Sequence, residues 1–96
     1  MERSSLIEIS QLQSLAFVAR HGSFSKAADE LGVTQSAISQ SIKNLEQKVD
    51  VKLFFRSGKS IVLTSEGKKL VVLADDVIGE IGEVVEQIHD LSLIHI

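Results

Sequence analysis

Apolar residues recur every three or four positions between residues 24 and 47, and one glycine interrupts the pattern. Gly32 stands between a short apolar row and a second row that follows Thr34. Two helices joined by a tight turn are therefore predicted, the second running from after Thr34 to Gln47 or Lys48. The inward-facing positions of the two helices are Ala27, Ala28, Leu31, Ile38, Ile42 and Leu45.

The opposite face of the second helix is polar. It carries amides, hydroxyls and one cation, at Gln35, Ser36, Ser39, Gln40 and Lys43. Side chains of these types can hydrogen-bond to base edges in the major groove of DNA. A short helix, a tight turn and a second helix with such a face are typical of a helix-turn-helix.

Capping residues predict where the helices begin. Ser10 is expected to cap a first helix over residues 11–21, which Gly22 ends. Ser25 and Thr34 are expected to cap the second and third helices, because their hydroxyl oxygens can accept a hydrogen bond from the first turn.

Two short β-prone runs follow the third helix. Residues 53–55 and 61–63 are apolar, and the turn residues 57–60 lie between them. This pattern predicts a hairpin with Arg56 and Lys59 near its tip. An ordinary strand pair would give the same pattern, but its place directly after a helix-turn-helix favours a wing.

The last segment has the most regular pattern in the chain. Ser65 is expected to cap a long helix with an apolar heptad seam, and Val71, Ile78 and Val85 add a second apolar row beside the seam. Such a wide stripe has to be covered, either by a second copy of the helix, parallel or antiparallel, or by the chain's own head. The head is small, which favours a homodimer. The seam positions are Leu70, Ala74, Val77, Ile81, Val84, Ile88 and Leu91.

Charge is distributed unevenly along the 96 residues. The net charge is −3, but residues 1–64 have a net charge of +2 and residues 65–96 one of −5. A mildly basic head joined to an acidic helix is compatible with nucleic-acid binding by the head alone.

The chemistry of an enzyme or a metalloprotein is missing from the sequence. There is no cysteine, and His21, His89 and His95 are scattered without metal-ligand spacing. No nucleophile elbow or phosphate-binding glycine loop occurs. No apolar run is long enough to span a membrane, and the N-terminus does not resemble a signal peptide. We therefore expect a cytoplasmic protein with no enzymatic activity, cofactor, metal or membrane partner.

Five short segments of the sequence together resemble the N-terminal domain and linker helix of LysR-type transcriptional regulators. They are GSFSKAA, VTQSAIS, the LE pair at 45–46, VKLFFR and LTSEG, and the similarity extends over about residues 8–90. The resemblance implies a mainly α fold, in which a winged helix-turn-helix of three helices and a β-hairpin precedes a long dimerisation helix. It also implies a homodimer that binds an inverted repeat in double-stranded DNA and regulates transcription.

The chemistry and position of the side chains predict roles for residues on the head. Base edges are expected to be contacted by Gln35, Ser36, Ser39 and Gln40. A phosphate is expected to bind at the N-terminus of the helix, at Thr34 and Gln35. Contacts with the DNA backbone are expected from Ser25, Lys26 and Lys43. The wing residues Arg56 and Lys59 are expected to reach phosphates or the minor groove. Three positions depart from the family pattern: Ser36 often is Pro, Gln40 often is Arg, and Phe55 often is acidic.

The chain divides into three parts in this interpretation. Residues 1–64 form the DNA-binding domain, residues 65–91 the dimerisation helix, and residues 92–96 a tail of unclear origin. The family usually has an effector domain after the linker helix, so the chain is either a fragment or a short regulator, and no inducer site is assigned. RNA polymerase is a candidate partner of the intact regulator.

A second function remains open at this point. Winged helices also serve as docking modules, and the long helix could pair with a different protein. Clustering of Lys43, Arg56 and Lys59 on one side of the head would favour DNA, whereas scattered cations would favour docking.

Overall fold

The computed structural model describes residues 6–57 and 60–94, with side chains up to residue 91. Four helices and one hairpin follow the predicted order, and the mainly α winged helix-turn-helix with its long last helix is confirmed. The helices are α1 (Ile9–His21), α2 (Phe24–Leu31), α3 (Gln35–Val49) and α4 (Ser65–Ile94), and the strands are β1 (Phe54–Ser57) and β2 (Ser60–Leu63).

The predicted cap of α1 was wrong by two residues. Glu8, not Ser10, is the N-cap: its backbone is extended, and its N–H donates to Gln11 Oε1 at 3.0 Å. Ser10 lies inside the first turn, where its carbonyl accepts from Ser14 Oγ. Glu8 and Gln11 form a capping box, in which the Gln11 amide oxygen satisfies the N–H of the N-cap residue.

The cap of α2 also lies two residues earlier than predicted. Ser23, not Ser25, accepts a hydrogen bond from the Lys26 backbone N–H at 3.2 Å. The earlier start places Phe24 inside the helix, where its ring packs edge-on against Phe54 of the hairpin. Gly32 ends α2 with a φ of 70°, a conformation that favours glycine.

The predicted cap of α3 is confirmed, because Thr34 Oγ1 accepts from the Ala37 backbone N–H at 3.1 Å. The helix ends at Val49, slightly beyond the predicted end, and Asp50 follows in the left-handed conformation. Val49 packs against the core, so burial of this side chain extends the helix.

The hairpin forms one residue later than its predicted first strand. Antiparallel pairing joins Phe54 to Leu63 and Arg56 to Ile61. Leu53 is buried outside the strand, since its N–H donates to the Glu46 carboxylate (2.8 Å) and its carbonyl accepts from Thr64 N–H (2.9 Å).

Thr64 rather than Ser65 caps α4. Its hydroxyl oxygen accepts from the Gly67 N–H at 3.0 Å and donates its own proton to the Lys52 carbonyl at 2.7 Å. Through these two hydrogen bonds, the Thr64 hydroxyl fixes the start of α4 to the segment that precedes β1. Gly67 is required here, because a Cβ would collide with the Leu53 carbonyl oxygen and the Leu63 side chain.

Two apolar clusters hold the head together. The larger one joins α1, α2 and α3, and burial of each large aliphatic side chain contributes about 1.5–3 kcal/mol. The smaller cluster joins α1 to α4 through Leu12, Ala16 and Ala74. Small side chains at Ala16 and Ala74 let the two helices approach closely. The buried members of the larger cluster are Leu15, Val18, Ala27, Ala28, Ile38, Ile42, Leu45 and Leu53.

Candidate nucleic-acid interface and dimer surface

One face of α3 presents the polar side chains that the sequence singled out. All five line a single shallow surface depression: Gln35, Ser36, Ser39, Gln40 and Lys43. On the opposite side of the helix, Ile38, Ile42 and Leu45 are buried in the core. The polar face is therefore held on a rigid support rather than on a mobile loop.

The N-terminus of α3 is exposed beside this depression. The Thr34 hydroxyl oxygen caps the helix and lies 3.3 Å from the Ser36 hydroxyl. The first backbone N–H groups of a helix carry partial positive charge and lack helical partners. This end of α3 is thus suited to an anionic oxygen next to the amide and hydroxyl side chains.

A cleft separates α3 from the hairpin, and cations lie along it. Lys43 comes from α3, Arg56 from β1 and Lys52 from the connection between them, and all three line the cleft. The predicted grouping of Lys43 with Arg56 is therefore found, whereas Lys59 lies outside the described residues. Ser25 and Lys26 lie exposed in the first turn of α2 and line neither this cleft nor the depression on α3.

Glu46 determines which of these cations carry unbalanced charge. Its carboxylate accepts from Leu53 N–H and lies 3.8 Å from Lys52 Nζ. Within residues 6–57 and 60–91, no carboxylate forms an ion pair with Lys43 or Arg56. Glu46 ties the hairpin to α3 through these contacts.

The predicted seam on α4 divides into two parts. Ala74 is fully buried against α1, so its assignment to a surface for a second chain was wrong. Leu70 and Val77 are half-buried and pack against the same cluster. Leu73, which is 49% exposed, takes the place of Ala74 on the outward side. The first part of the seam therefore belongs to the head.

Beyond Val77 the seam is open. The exposed fraction rises from 42% at Ile81 to 61% at Ile88. We call the exposed apolar residues of this half the distal strip: Ile81, Val84, Val85, Ile88 and Leu91. Five large aliphatic side chains in a row are unusual on a solvated helix and indicate a covered surface.

An apolar groove lies at the other end of α4. Val49 and Val51 line one wall, and Leu70, Val72 and Leu73 of α4 line the other. Glu66, Lys69 and Asp76 provide its charged rim. The groove and the distal strip are at opposite ends of the same helix.

Neither a metal-ligand group nor a membrane-spanning helix is found in the described part of the chain. No group of three or more potential metal ligands comes together there. Likewise, none of its helices combines the length and the apolar composition that crossing a membrane requires.

The sequence matches the family model of bacterial regulatory helix-turn-helix proteins of the LysR family over residues 9–68. The chain belongs to the LysR family. The resemblance noted from its motifs is thereby confirmed, and this family is one of transcription regulators.

Individual relatives of this LysR-family chain agree with the match. The transcriptional activator AmpR of Citrobacter freundii is 44% identical over 72 residues, which cover 75% of the chain but 25% of AmpR. The chain thus spans about a quarter of that relative's length. The transcriptional regulator SoxR of an Arthrobacter species is 37% identical over 84 residues.

Solved structures share the fold and include protein–DNA complexes. A complex of the BenM DBD with catB site 1 DNA superposes with a TM-score of 0.83 at 27% identity, covering 88% of this chain and 96% of the other. DarR of Vibrio fischeri in complex with DNA gives a TM-score of 0.80 at 35% identity, covering 92% of the chain and 30% of DarR.

Three functional features of this LysR-family head escaped the sequence interpretation. Lys52 joins the cations of the cleft, Glu46 links α3 to the hairpin, and Asn44 Oδ1 accepts from Gln40 Nε2 at 2.9 Å. Only the last had a sequence signal: residues four apart on a helix face each other.

Proposed function

We propose that this chain is the DNA-binding part of a transcriptional regulator and that it binds double-stranded DNA with α3 in the major groove. The observation that carries the proposal is the polar depression on α3, which is backed by buried residues and adjoins the cleft that Lys43 and Arg56 line. A major groove admits one helix, and the side chains of this face match the hydrogen-bonding groups of base edges. Two of the structural relatives were solved in complex with DNA, which supports DNA as the ligand.

Within this interface, base edges contact the N-terminal half of α3. Gln35, Ser36, Ser39 and Gln40 supply donors and acceptors, and a glutamine can bind adenine N6 and N7 with two hydrogen bonds. Thr34 and the N-terminus of α3 hold a phosphate. Ser25, Lys26 and Lys43 contact the sugar–phosphate backbone and position the helix.

The hairpin serves as a wing beside the major-groove site. Arg56 reaches phosphates or the minor groove, where the negative potential attracts arginine. Lys59, at the tip of the same hairpin in the sequence, acts with it. Glu46 holds the wing at a fixed position relative to α3, so both contact DNA together.

A homodimer follows from the uncovered apolar surface of α4. The distal strip packs against a second copy of the chain, and each buried aliphatic side chain stabilises the pair by about 1.5–3 kcal/mol. If the two α4 helices pair antiparallel, the distal strip of one copy lies against the groove of the other and covers Leu73 and Val51. Two heads held at a fixed separation suit an inverted repeat.

The biological setting is that of the intact regulators of this family. The chain acts in the cytoplasm, where bacterial DNA is accessible, and contacts no membrane. It has no enzymatic activity of its own. RNA polymerase is the proposed partner of the intact regulator.

A binding selection tests the proposed function directly. The purified chain is incubated with a pool of random duplexes, bound DNA is sequenced over several rounds, and affinity is then measured over a range of salt concentrations. We expect an enriched inverted repeat and a steep loss of affinity with salt, because cations displaced from phosphates are released on binding. Binding that shows neither enrichment nor salt dependence would contradict the proposal and favour a protein-docking module.

A matched pair of variants identifies the reading face. Replacing Gln35 and Ser39 together by Ala should lower affinity for the selected site and relax its base preference. Gln87→Ala, on the exposed distal half of α4 and outside the strip, is the control and should change neither. Unchanged affinity and preference in the double variant would exclude α3 as the reader.

A further inference from the structure

A side-chain hydrogen bond on the exposed face of α3 connects a proposed base-reading residue to one without an assigned role. Gln40 Nε2 donates to Asn44 Oδ1 at 2.9 Å, one helical turn further on. An exposed glutamine ordinarily samples many rotamers and can present either end of its amide. Here the bond directs the nitrogen end towards Asn44 and leaves the oxygen end turned away from it.

Asn44 lies beside the contact between α3 and the start of α1. It is half-buried and lines a small depression with Gln11 and Lys48, at the edge of the polar face. Lys48 Nζ donates to Gln11 Oε1 at 3.3 Å, so the depression joins α3 to the start of α1. Asn44 is therefore one helical turn from Gln40, on the part of α3 that is joined to α1.

The bond decides which hydrogen-bonding groups Gln40 can offer to DNA. Its amide has two N–H donors and one carbonyl acceptor, and Asn44 occupies one donor. One N–H and Oε1 remain as a neighbouring donor and acceptor. Adenine presents the complementary pair in the major groove, an N7 acceptor beside an N6 donor, whereas guanine presents two acceptors.

We propose that Asn44 is a positioning residue that makes Gln40 an adenine reader. Each half-site of the operator then carries an A·T pair at the position that Gln40 reaches, and guanine is rejected there because Gln40 Oε1 would face guanine O6. The inference rests on the proposed function, since it assumes that α3 lies in the major groove. It adds the base that is read and the residue that sets the preference.

Preorganisation explains why a residue that does not touch the base affects specificity. A side chain already held in its binding orientation loses less conformational freedom when it binds. Removing the restraint allows the Gln40 amide to rotate and present its donors to other bases. The loss then appears as a weaker preference at one position rather than as a general loss of affinity.

The test compares base preference at each position of the selected site for the unmodified chain and four variants. Gln40→Ala identifies the position that Gln40 reads, at which we expect the unmodified chain to prefer adenine over guanine about tenfold or more. Asn44→Ala should reduce that preference about three- to tenfold at this position only. Asn44→Asp keeps the acceptor and should preserve the preference, although its negative charge weakens binding to every sequence. Gln47→Ala, on the same exposed face but outside the bond, should leave the preference unchanged.

Each outcome decides a different point. A chain that selects no sequence contradicts the proposed function itself. A chain that selects a site, but shows no adenine preference at the Gln40 position, overturns only the inference. The same holds if Asn44→Ala leaves the preference intact, or alters all positions equally.

A measurement without DNA supports the same test. In ¹H–¹⁵N spectra of the free chain, the side-chain amide signal of Gln40 should shift and its protons should exchange faster with water in Asn44→Ala than in the unmodified chain. Gln47→Ala should leave the signal in place. An unchanged Gln40 signal in Asn44→Ala would show that the restraint is absent in solution and contradict the inference.

Discussion

The two halves of α4 have the same apolar periodicity and opposite surroundings. In the first half, Ala74 is buried completely and Leu70 packs against α1. In the second half, Ile81 and Ile88 are 42% and 61% exposed at equivalent positions of the heptad. The difference shows that periodicity predicts which face of a helix is covered, but not what covers it.

Residue size differs between the halves at the heptad position that Ala74, Ile81 and Ile88 share. Ala74 faces α1, where a small side chain permits close helix packing, and the distal positions of the seam are large and aliphatic. The first half stabilises the head, and in our account the second half joins two heads. Mutations in the two halves should therefore have separable effects.

The largest effect is expected from Ala74→Asp. A carboxylate at this fully buried position has no partner, and an uncompensated buried charge costs about 3 kcal/mol or more. The variant should unfold at a much lower urea concentration, as followed by circular dichroism. Ile88→Asp, in the exposed half, should keep the helical signal of the unmodified chain. Equal unfolding midpoints for the two variants would contradict the division.

The next effect concerns assembly rather than folding. Ile81→Asp places a charge in the distal strip and should raise the dimer dissociation constant about 30-fold or more, since one buried isoleucine contributes about 2 kcal/mol. Sedimentation velocity across a concentration series measures the change, and binding to an inverted repeat should weaken with it. Glu83→Ala lies on the opposite side of the helix and serves as the control. An unaltered dissociation constant in Ile81→Asp would exclude the strip as the interface.

Two glycines of α4 sharpen the comparison further. At Gly67 an added methyl group would collide with backbone and side-chain atoms of the hairpin segment, whereas at Gly79 it meets nothing within 4 Å. Gly67→Ala should lower the free energy of unfolding by about 1–3 kcal/mol through overpacking. Gly79→Ala should raise it by up to about 1 kcal/mol, because alanine is the better helix former. Thermal denaturation of both variants checks the opposite signs.

The smallest expected effect lies on the wing. Replacing Arg56 and Lys59 by Ala should weaken binding to all duplexes about equally and make the salt dependence shallower. Lys52→Ala should change the salt dependence less, because Glu46 lies 3.8 Å from Lys52 Nζ and offsets part of that charge. Fluorescence anisotropy at several salt concentrations measures both slopes. A loss restricted to one sequence would instead indicate that the wing reads bases.

The order and type of the elements followed from the sequence, but several helix starts did not. The predicted caps Ser10, Ser25 and Ser65 are all displaced, because each sits one or two residues after a better-placed cap. The reasons are tertiary: Phe24 packs against Phe54, and Thr64 bonds to the Lys52 carbonyl. Thr34 was predicted correctly because the glycine turn just before it leaves no alternative start.

The part of the candidate interface that lies on a single helix was predictable from the sequence. The part that depends on contacts between α3 and the hairpin was not. The five polar residues of α3 share a face by periodicity alone. The burial of Leu53, the ion pair between Lys52 and Glu46, and the hydrogen bond that Glu46 accepts from Leu53 N–H depend on how the hairpin meets α3, which no local pattern specifies. The same limit explains why Ala74 was assigned to the wrong partner.

The central claim is that the exposed half of α4 joins two copies of the chain, and sedimentation of the unmodified chain tests it most directly. One copy has a mass of 10.5 kDa. At tens of micromolar we expect a species of about twice that mass, dissociating on dilution according to a single equilibrium. A monomer whose mass is independent of concentration over this range would contradict the account.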